Sequence, residues 1–265
     1  MILTKTLSVL ARLYVAMIFG IVFMPMAIIL VISFSADSYL SFPPSGWSLK
    51  WYGTVLSNTA FMEGMRNSLV IAVIVAALSL ACGLPAAYAL VRLAFPGHNL
   101  IRNLILAPLI LPAMMLGLGI LMVFTPAGLV ATYPGLVLAH LIMTLPFSVR
   151  ILQTALGNLG TDVEEAAMTL GAPPLKAFTA ITLPRLLPGI FASSAIAFIL
   201  SFDEIVLSLF IVGPRLQTLP VEIYRYVDER TDPMVAVLAV LMIAISLSVI
   251  LIVERSIGFS KAFGR

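Results

Sequence analysis

Long apolar runs separated by short polar segments dominate this sequence. Six of the runs approach or exceed the roughly 20 residues that a helix needs to cross a bilayer. We expect spans at residues 7–33, 67–91, 103–124, 134–152, 188–212 and 233–253. The short alternating segments of a membrane β-barrel are absent from the sequence. The pattern therefore predicts an all-α membrane protein, with residues 1–265 forming one domain of six transmembrane helices.

Prolines lie within the third and fourth predicted spans. Pro108 and Pro112 break the third, and Pro146 lies inside the fourth. Membrane helices tolerate such residues because neighbouring helices satisfy the freed carbonyl groups. The prolines therefore exclude neither span, and they predict a break in the third.

The first apolar run also has one feature of a cleaved signal peptide. Ser33 to Ala36 has a small-x-small pattern. The apolar region before it is much longer than the 7–15 residues that are typical of signal peptides. We expect a retained signal anchor.

Composition supports a lipid environment. The chain has 265 residues, of which 61% are hydrophobic and 10% are charged. Soluble domains carry roughly 25% charged residues. With a mean hydropathy of +1.12, the chain is too apolar to cover itself with a polar surface.

The distribution of Lys and Arg predicts the orientation, because cytoplasmic loops carry the excess of these residues. With the N-terminus inside, ten lie on the inner side and five on the outer side. The inner residues are Lys5, Arg12, Arg92, Arg102, Arg150, Lys176, Arg185, Arg255, Lys261 and Arg265; the outer residues are Lys50, Arg66, Arg215, Arg225 and Arg230. We expect both termini and the 153–187 loop to be cytoplasmic, in a cell (inner) membrane. Attraction to anionic lipid explains the net charge of +3, and no nucleic-acid partner is expected.

The sequence lacks the residue patterns of metal binding, nucleotide binding and hydrolytic catalysis. Cys82 is the single cysteine, and His98 and His140 lie in different segments, so we expect no metal site. The sequence has no P-loop motif, nucleophile elbow or H-E-x-x-H motif. We therefore expect no catalytic residue and no cofactor in this chain.

The 153–187 loop has the signals of two short helices. Thr161 and Glu164 fit a capping box, and Gly171 suits a left-handed helix end. Pro173 and Pro174 can open a second helix, which we expect Pro184 to end.

The first of these helices has two possible uses. A helix lying at the lipid headgroups usually carries lysines opposite large apolar anchors. Here Glu164 and Glu165 make the polar face acidic, and Ala166 and Ala167 keep the apolar face small. This pattern favours docking of a soluble protein.

The loop resembles the EAA motif of ABC importer permeases, whose consensus is E-A-A-x3-G-x9-I-x-L-P. Every consensus position is filled, by Glu165, Ala166, Ala167, Gly171, Ile181, Leu183 and Pro184. The resemblance extends over nearly the whole chain, through Phe42-Pro43-Pro44, Ala139-His140 and Ser201-Phe202-Asp203-Glu204. It is strongest to the second permease of spermidine/putrescine-type importers.

This resemblance implies a type I importer fold and a division of labour. The loop would be the coupling helix that docks on an ABC ATPase, with Glu164 included among the coupling residues and with Glu165 and Gly171 important for docking. ATP and Mg would be bound by that ATPase. The other implied partners are a second permease, expected to be a different chain, and an extracytoplasmic solute-binding protein. Two permeases would enclose the path, so each would form half of it.

Asp203 and Glu204 are candidate substrate-path residues. They lie inside the predicted fifth span, where charges are rare and usually face the bundle interior. Neighbouring residues on a helix point about 100° apart, so only one can face the path directly. Either they attract a cationic, polyamine-like solute, or they pair with a basic residue or with the backbone of a neighbouring subunit.

Other functions stay open at this point. The same machinery can import a phosphonate, an opine or amino acid derivative, ferric iron or thiamine. A secondary transporter or channel would not need the capped loop at 161–184. A membrane-embedded enzyme would need a convergent set of reactive side chains, and the sequence offers none.

Overall fold

The computed structural model of the chain describes the backbone of residues 2–257 and the side chains of residues 11–255. Lys261 and Arg265 lie outside the described residues, as does the side chain of Lys5. Residues 2–257 form twelve α-helices and no strand. The helices are α1 (Ile2–Ser33), α2 (Lys50–Ser57), α3 (Thr59–Arg92), α4 (His98–Leu106), α5 (Ala113–Phe124), α6 (Tyr133–Asn158), α7 (Asp162–Thr169), α8 (Pro174–Ala177), α9 (Leu183–Phe202), α10 (Val206–Ile211), α11 (Leu219–Glu229) and α12 (Met234–Ile257).

The predicted spans correspond to these helices, with one of them bent. Within the described residues, five helical segments are long and apolar enough to cross a membrane: Ala11–Ser33, Thr59–Arg92, Tyr133–Asn158, Pro174–Phe202 and Met234–Arg255. The pair His98–Leu109 and Ala113–Phe124 makes a sixth if it is counted as one span. The all-α membrane fold is confirmed.

The third predicted span is the bent pair. Its two halves meet at 106°, with a short 3₁₀ helix at Ala107–Leu109 before the bend. Pro112 has φ −57° and ψ 134°, an extended conformation, directly before α5. Proline has no N–H group and cannot continue the hydrogen bonding of a helix, which explains the break at this position.

The fifth predicted span, residues 188–212, is wrong at both ends. The helical segment begins at Pro174 and ends at Phe202. Residues Phe178–Thr182 form a π turn that joins α8 to α9 without a break. The predicted helix end at Pro184 is therefore also wrong, since Pro184 lies in the first turn of α9. The widened turn before it accommodates a proline whose ring would otherwise clash with the preceding turn.

The described residues divide into two compact units. The first contains residues 2–62 and 223–245, and the second contains residues 63–222 and 246–257. The prediction of a single domain stays a prediction.

The first unit contains an ordered loop between α1 and α2, organised around Asp37. Its carboxylate accepts hydrogen bonds from the Ser41 hydroxyl at 2.6 Å and from the Ser45 amide at 3.0 Å, and also from the Ser45 hydroxyl. The Trp51 indole donates to the Asp37 carbonyl oxygen at 3.1 Å. These bonds, led by that of Ser41, hold the pKa of Asp37 well below its usual range.

The second unit is built around the contact between α6 and α9. One apolar cluster packs α3, α5, α6 and α10 through residues such as Ile71, Ile120, Leu136 and Leu207. A second cluster packs α3, α6 and α9 through Ala87, Leu152, Leu156 and Leu186. The second cluster therefore packs α9 against α6 and α3.

Candidate functional site

The 161–171 loop folds into the predicted short helix with a glycine end. The Gly171 amide donates to the Met168 carbonyl at 3.0 Å, and the Ala172 amide donates to the Ala167 carbonyl at 3.0 Å. This pair of bonds is a Schellman motif, which needs a left-handed residue after the helix. Gly171 supplies it with φ +94°.

The outer surface of α7 and its end is exposed and partly apolar. Val163 is 51% exposed, and Leu170 is 89% exposed. Glu165 and Ala166 are also exposed, and Ala167 is half-buried. Leu175, at the start of α8, is 75% exposed. The surface therefore presents a carboxylate beside apolar side chains that nothing within the described residues covers.

Glu164 does not share this outward surface. Its side chain is only 6% exposed, and it accepts hydrogen bonds from Tyr88 at 3.0 Å and from Thr182 at 2.8 Å. The predicted capping box is wrong, since Thr161 makes no side-chain cap. The Glu164 carboxylate instead points into the chain, where it accepts hydrogen bonds from two hydroxyl groups that lie far from it in the sequence.

The three remaining motif residues lie where the loop joins α9. Ile181 is in the π turn, and Leu183 and Pro184 begin α9. Ile181 and Leu183 are half-buried, whereas Pro184 is exposed. These residues therefore connect the exposed loop to a membrane-spanning helix.

Asp203 and Glu204 lie at a break between helices, and the prediction that they lie within a continuous helix is wrong. Asp203 directly follows Phe202, the last residue of α9, and α10 begins two residues after Glu204. Glu204 is 7% exposed and accepts a hydrogen bond from the Leu207 amide at 2.8 Å. Asp203 is exposed. In a continuous helix the two side chains would point about 100° apart. At the break, one carboxylate is instead buried and the other is exposed.

His140 spans this break from α6. Its Nδ1 lies 2.9 Å from the Ser201 hydroxyl, and its Nε2 lies 2.9 Å from the Ser208 hydroxyl. Ser208 also donates to the Glu204 carbonyl at 2.9 Å. A ring with its hydrogen on Nε2 satisfies all of these bonds, because Ser208 then accepts and Ser201 donates. His140 therefore fixes the two ends of the break relative to each other.

The hydrogen-bonding roles of His140, Tyr88 and Thr182 were not predicted from the sequence. Among the described residues, no group of three or more His, Cys, Asp or Glu side chains could hold a metal ion. Tyr88 lies 76 residues from its partner Glu164. Such a separation leaves no local signal, although a polar group on an apolar helix indicates a buried partner.

A helical membrane fold with an exposed two-helix loop that carries the EAA pattern is typical of the membrane-embedded subunit of a transporter. Residues 79–256 match the family of binding-protein-dependent transport system inner membrane components, and the chain belongs to that family. It is therefore a permease subunit of an ABC importer and a multi-pass inner-membrane protein.

Two relatives and one solved structure are similar over most of the chain. The putrescine transport system permease protein PotI of Escherichia coli strain K12 is 34% identical over 232 residues, covering 85% of this chain and 82% of the relative. The spermidine/putrescine transport system permease protein PotC of the same strain is 28% identical over 251 residues, covering 95% and 94%. A bacterial ABC transporter involved in the import of the acidic polysaccharide alginate matches with a TM-score of 0.71 at 16% identity, covering 98% of this chain and 97% of the other. This last likeness concerns the fold.

Proposed function

We propose that this permease carries a polyamine of the putrescine or spermidine class, with Asp203 as a carboxylate of its path. The observation that carries the proposal is the exposure of Asp203 at the break between α9 and α10, while Glu204 is bonded internally. An exposed carboxylate attracts the ammonium groups of a polyamine and repels a phosphonate. The similarity to two polyamine permeases supports the same solute class.

ATP hydrolysis would be coupled through the exposed surface of α7. Glu165, Ala166, Ala167 and Gly171 form a thin, glycine-terminated helix that a soluble ATPase can approach closely. In this proposal the ATPase binds ATP and Mg, and Ile181, Leu183 and Pro184 pass its movement to α9. An ATP-independent secondary transporter would have no use for such a surface, which favours the ATP-driven importer.

The arrangement in the membrane completes the proposal. Both termini and the 153–187 loop are cytoplasmic, as the excess of Lys and Arg on that side favours. A second permease, a different chain, forms the other half of the path. Residues 11–27 of the first apolar segment are all exposed within this chain, which leaves surface for lipid and for that second chain. An extracytoplasmic binding protein delivers the solute.

The test is uptake of radiolabelled putrescine into vesicles that contain the complete importer, with its ATPase, second permease and binding protein. We expect ATP-dependent accumulation that Asp203→Asn lowers and that Glu254→Gln, a matched exposed carboxylate elsewhere in the same unit, leaves unchanged. Uptake of 2-aminoethylphosphonate, thiamine or ferric complexes in place of putrescine and spermidine would overturn the solute class. Uptake without ATP would overturn the coupling.

A further inference from the structure

Glu164 is a buried carboxylate in an otherwise exposed helix. Its neighbours Val163 and Glu165 are exposed, whereas only 6% of the Glu164 side chain is accessible. Burial of a charge is costly unless hydrogen bonds satisfy it. Both of its carboxylate oxygens are satisfied, Oε1 by Tyr88 and Oε2 by Thr182. A side chain held in this way has a role inside the chain.

The two donors belong to different membrane-spanning segments. Tyr88 lies near the end of α3, and Thr182 ends the π turn that leads into α9. The Tyr88 ring also packs edge-on against Phe178 of the same π turn, with ring centroids 5.0 Å apart. Glu164 therefore belongs to a group of four side chains that connects α7 to α3 and to the base of α9. We call this group the bracket; it consists of Glu164, Tyr88, Phe178 and Thr182.

A second contact holds the same corner of α3. The Arg92 guanidinium donates to the Gly160 carbonyl at 2.6 Å and to the Leu156 carbonyl at 3.3 Å. Gly160 directly precedes the α7 loop. The end of α3 is thus tied to the loop on both sides of Thr161.

We propose that Glu164 is an internal positioning residue, which locks α7 to α3 and to the π turn so that a displacement of the loop moves both spans together. This inference rests on the proposed docking of α7 on an ATPase and assigns Glu164 a role different from that of Glu165. The two oxygens of this side chain can accept donors from two different segments at once, which suits a contact that joins them. The π turn marks the end of the bracket, and such turns are frequent at functional sites.

The choice of substitution separates a bracket from a docking charge. Gln at position 164 keeps an acceptor and gains donors, and the Tyr88 and Thr182 hydroxyls can each donate or accept. Glu164→Gln therefore preserves both hydrogen bonds without the charge, whereas Glu164→Met, of similar length, removes both. Tyr88→Phe with Thr182→Val leaves the carboxylate and removes both donors at little change in volume. Glu165→Gln and Glu165→Met are the matched controls on the exposed neighbour.

The experiment measures the complete importer in vesicles, with putrescine accumulated per ATP hydrolysed, stimulation of ATP hydrolysis by the binding protein, and co-purification of the ATPase. For Glu164→Met and for Tyr88→Phe/Thr182→Val, we expect co-purification to persist and putrescine per ATP to fall at least about fivefold, the lower end of typical site-to-site couplings. Glu164→Gln retains the wild-type ratio. Glu164→Met adds no further loss to the double variant.

Two results would overturn the inference. If Glu164→Gln loses as much as Glu164→Met, the charge acts in docking; if Glu164→Met keeps the wild-type ratio, the bracket transmits nothing. The single variants Tyr88→Phe and Thr182→Val keep the test valid if Glu164→Met does not assemble. Failure of the proposed function is separate, because then the wild type itself binds no ATPase or carries no putrescine. If the wild type binds the ATPase but carries a solute other than putrescine, the test of the bracket uses the stimulation of ATP hydrolysis by the binding protein, compared between wild type and variants.

Discussion

Asp203 and Glu204 are adjacent in the chain but lie in opposite environments. The Glu204 carboxylate accepts the Leu207 amide at 2.8 Å and is 7% exposed, whereas Asp203 is exposed at the end of α9. The helix breaks at these two residues, and at this break the Glu204 side chain is buried while the Asp203 side chain is exposed. Two carboxylates that a sequence pattern treats as a pair therefore have separate expected effects.

Asp203→Asn should change transport and leave stability unchanged. The carboxylate is exposed, so its replacement by an amide of the same shape disturbs no buried contact, while its charge is the feature that attracts a cationic solute. We expect a raised KM for putrescine uptake with an unchanged melting temperature of the purified protein. A normal KM would remove Asp203 from the path.

Glu204→Ala should mainly lower the stability of the folded protein. The substitution leaves the Leu207 amide without its acceptor at the start of α10, and loss of such a cap costs about 1 kcal/mol. Thermal unfolding in detergent measures this cost, with Glu254→Ala as the control at an exposed carboxylate. An unchanged melting temperature, together with impaired uptake, would move the substrate role to Glu204.

Gly171→Val should disrupt the end of α7 and uncouple transport from ATP hydrolysis. With φ +94°, residue 171 lies in the left-handed region, which costs a residue with a Cβ about 1–2 kcal/mol. Space is not the cause, since among the described residues no heavy atom lies within 4 Å of the position that a Cβ would take here. The measurement is the amount of ATPase that co-purifies, together with putrescine uptake per ATP.

Asparagine is the control for Gly171, because it tolerates the left-handed conformation better than other residues with a side chain. Gly171→Asn should therefore retain most of the coupling. Equal loss in both variants would mean that contact with a partner, and not backbone conformation, determines the need for glycine.

The sequence predicted the features that depend on local pattern. Apolar runs of span length became helices, and Gly171 ended α7 in the conformation expected of glycine after a helix. The 106° bend in the third segment lies at Pro112, where a proline pattern predicted a break. In each case the physical cause acts within a few residues.

Features that depend on distant partners could not be predicted in this way. The capping box between Thr161 and Glu164 is locally favourable, but Tyr88 and Thr182 bind the same carboxylate in the folded chain. The break after Phe202 carries no glycine or proline signal, and His140 of another helix fixes its two ends. Tertiary hydrogen bonds determined the outcome in both places.

Gly189→Ala should destabilise the packing of α6 on α9. A Cβ at residue 189 would lie 2.6 Å from the Cβ of Ala155, much closer than two methyl groups can approach. Small residues allow membrane helices to pack this closely. Because Ala155 has no flexible side chain to move aside, we expect a loss of about 1–3 kcal/mol, as for other overpacked sites.

The companion variant Gly189→Ala/Ala155→Gly exchanges the two side chains across the contact. It should recover most of the stability, measured by thermal unfolding in detergent. Gly157→Ala is the control, because none of the described residues has a heavy atom within 4 Å of a Cβ at that position. If the double variant is as unstable as Gly189→Ala alone, the close contact does not limit the packing of these helices.

The loop around Asp37 should stay ordered to an unusually acidic pH. An Asp in an unfolded chain titrates at about 3.9. Hydrogen bonds from Ser41 and Ser45 lower the pKa of Asp37 in the folded loop. A lowered folded pKa contributes stability above the unfolded value and loses it only as the pH falls through the folded pKa. The loop should therefore be unaffected between pH 7 and about pH 4 and weaken progressively below that.

Trp51 reports on this loop, since its indole donates to the Asp37 carbonyl at 3.1 Å. In a Trp47→Phe background it is the remaining tryptophan of the two in the chain. We expect constant Trp51 emission down to about pH 4, and a red shift at neutral pH in Asp37→Ala, which lacks the acceptor oxygens. Ser45→Ala removes one side-chain donor and should raise the pH at which the emission changes. A transition already near pH 5 in the unsubstituted loop would show that these hydrogen bonds do not favour the ionised carboxylate.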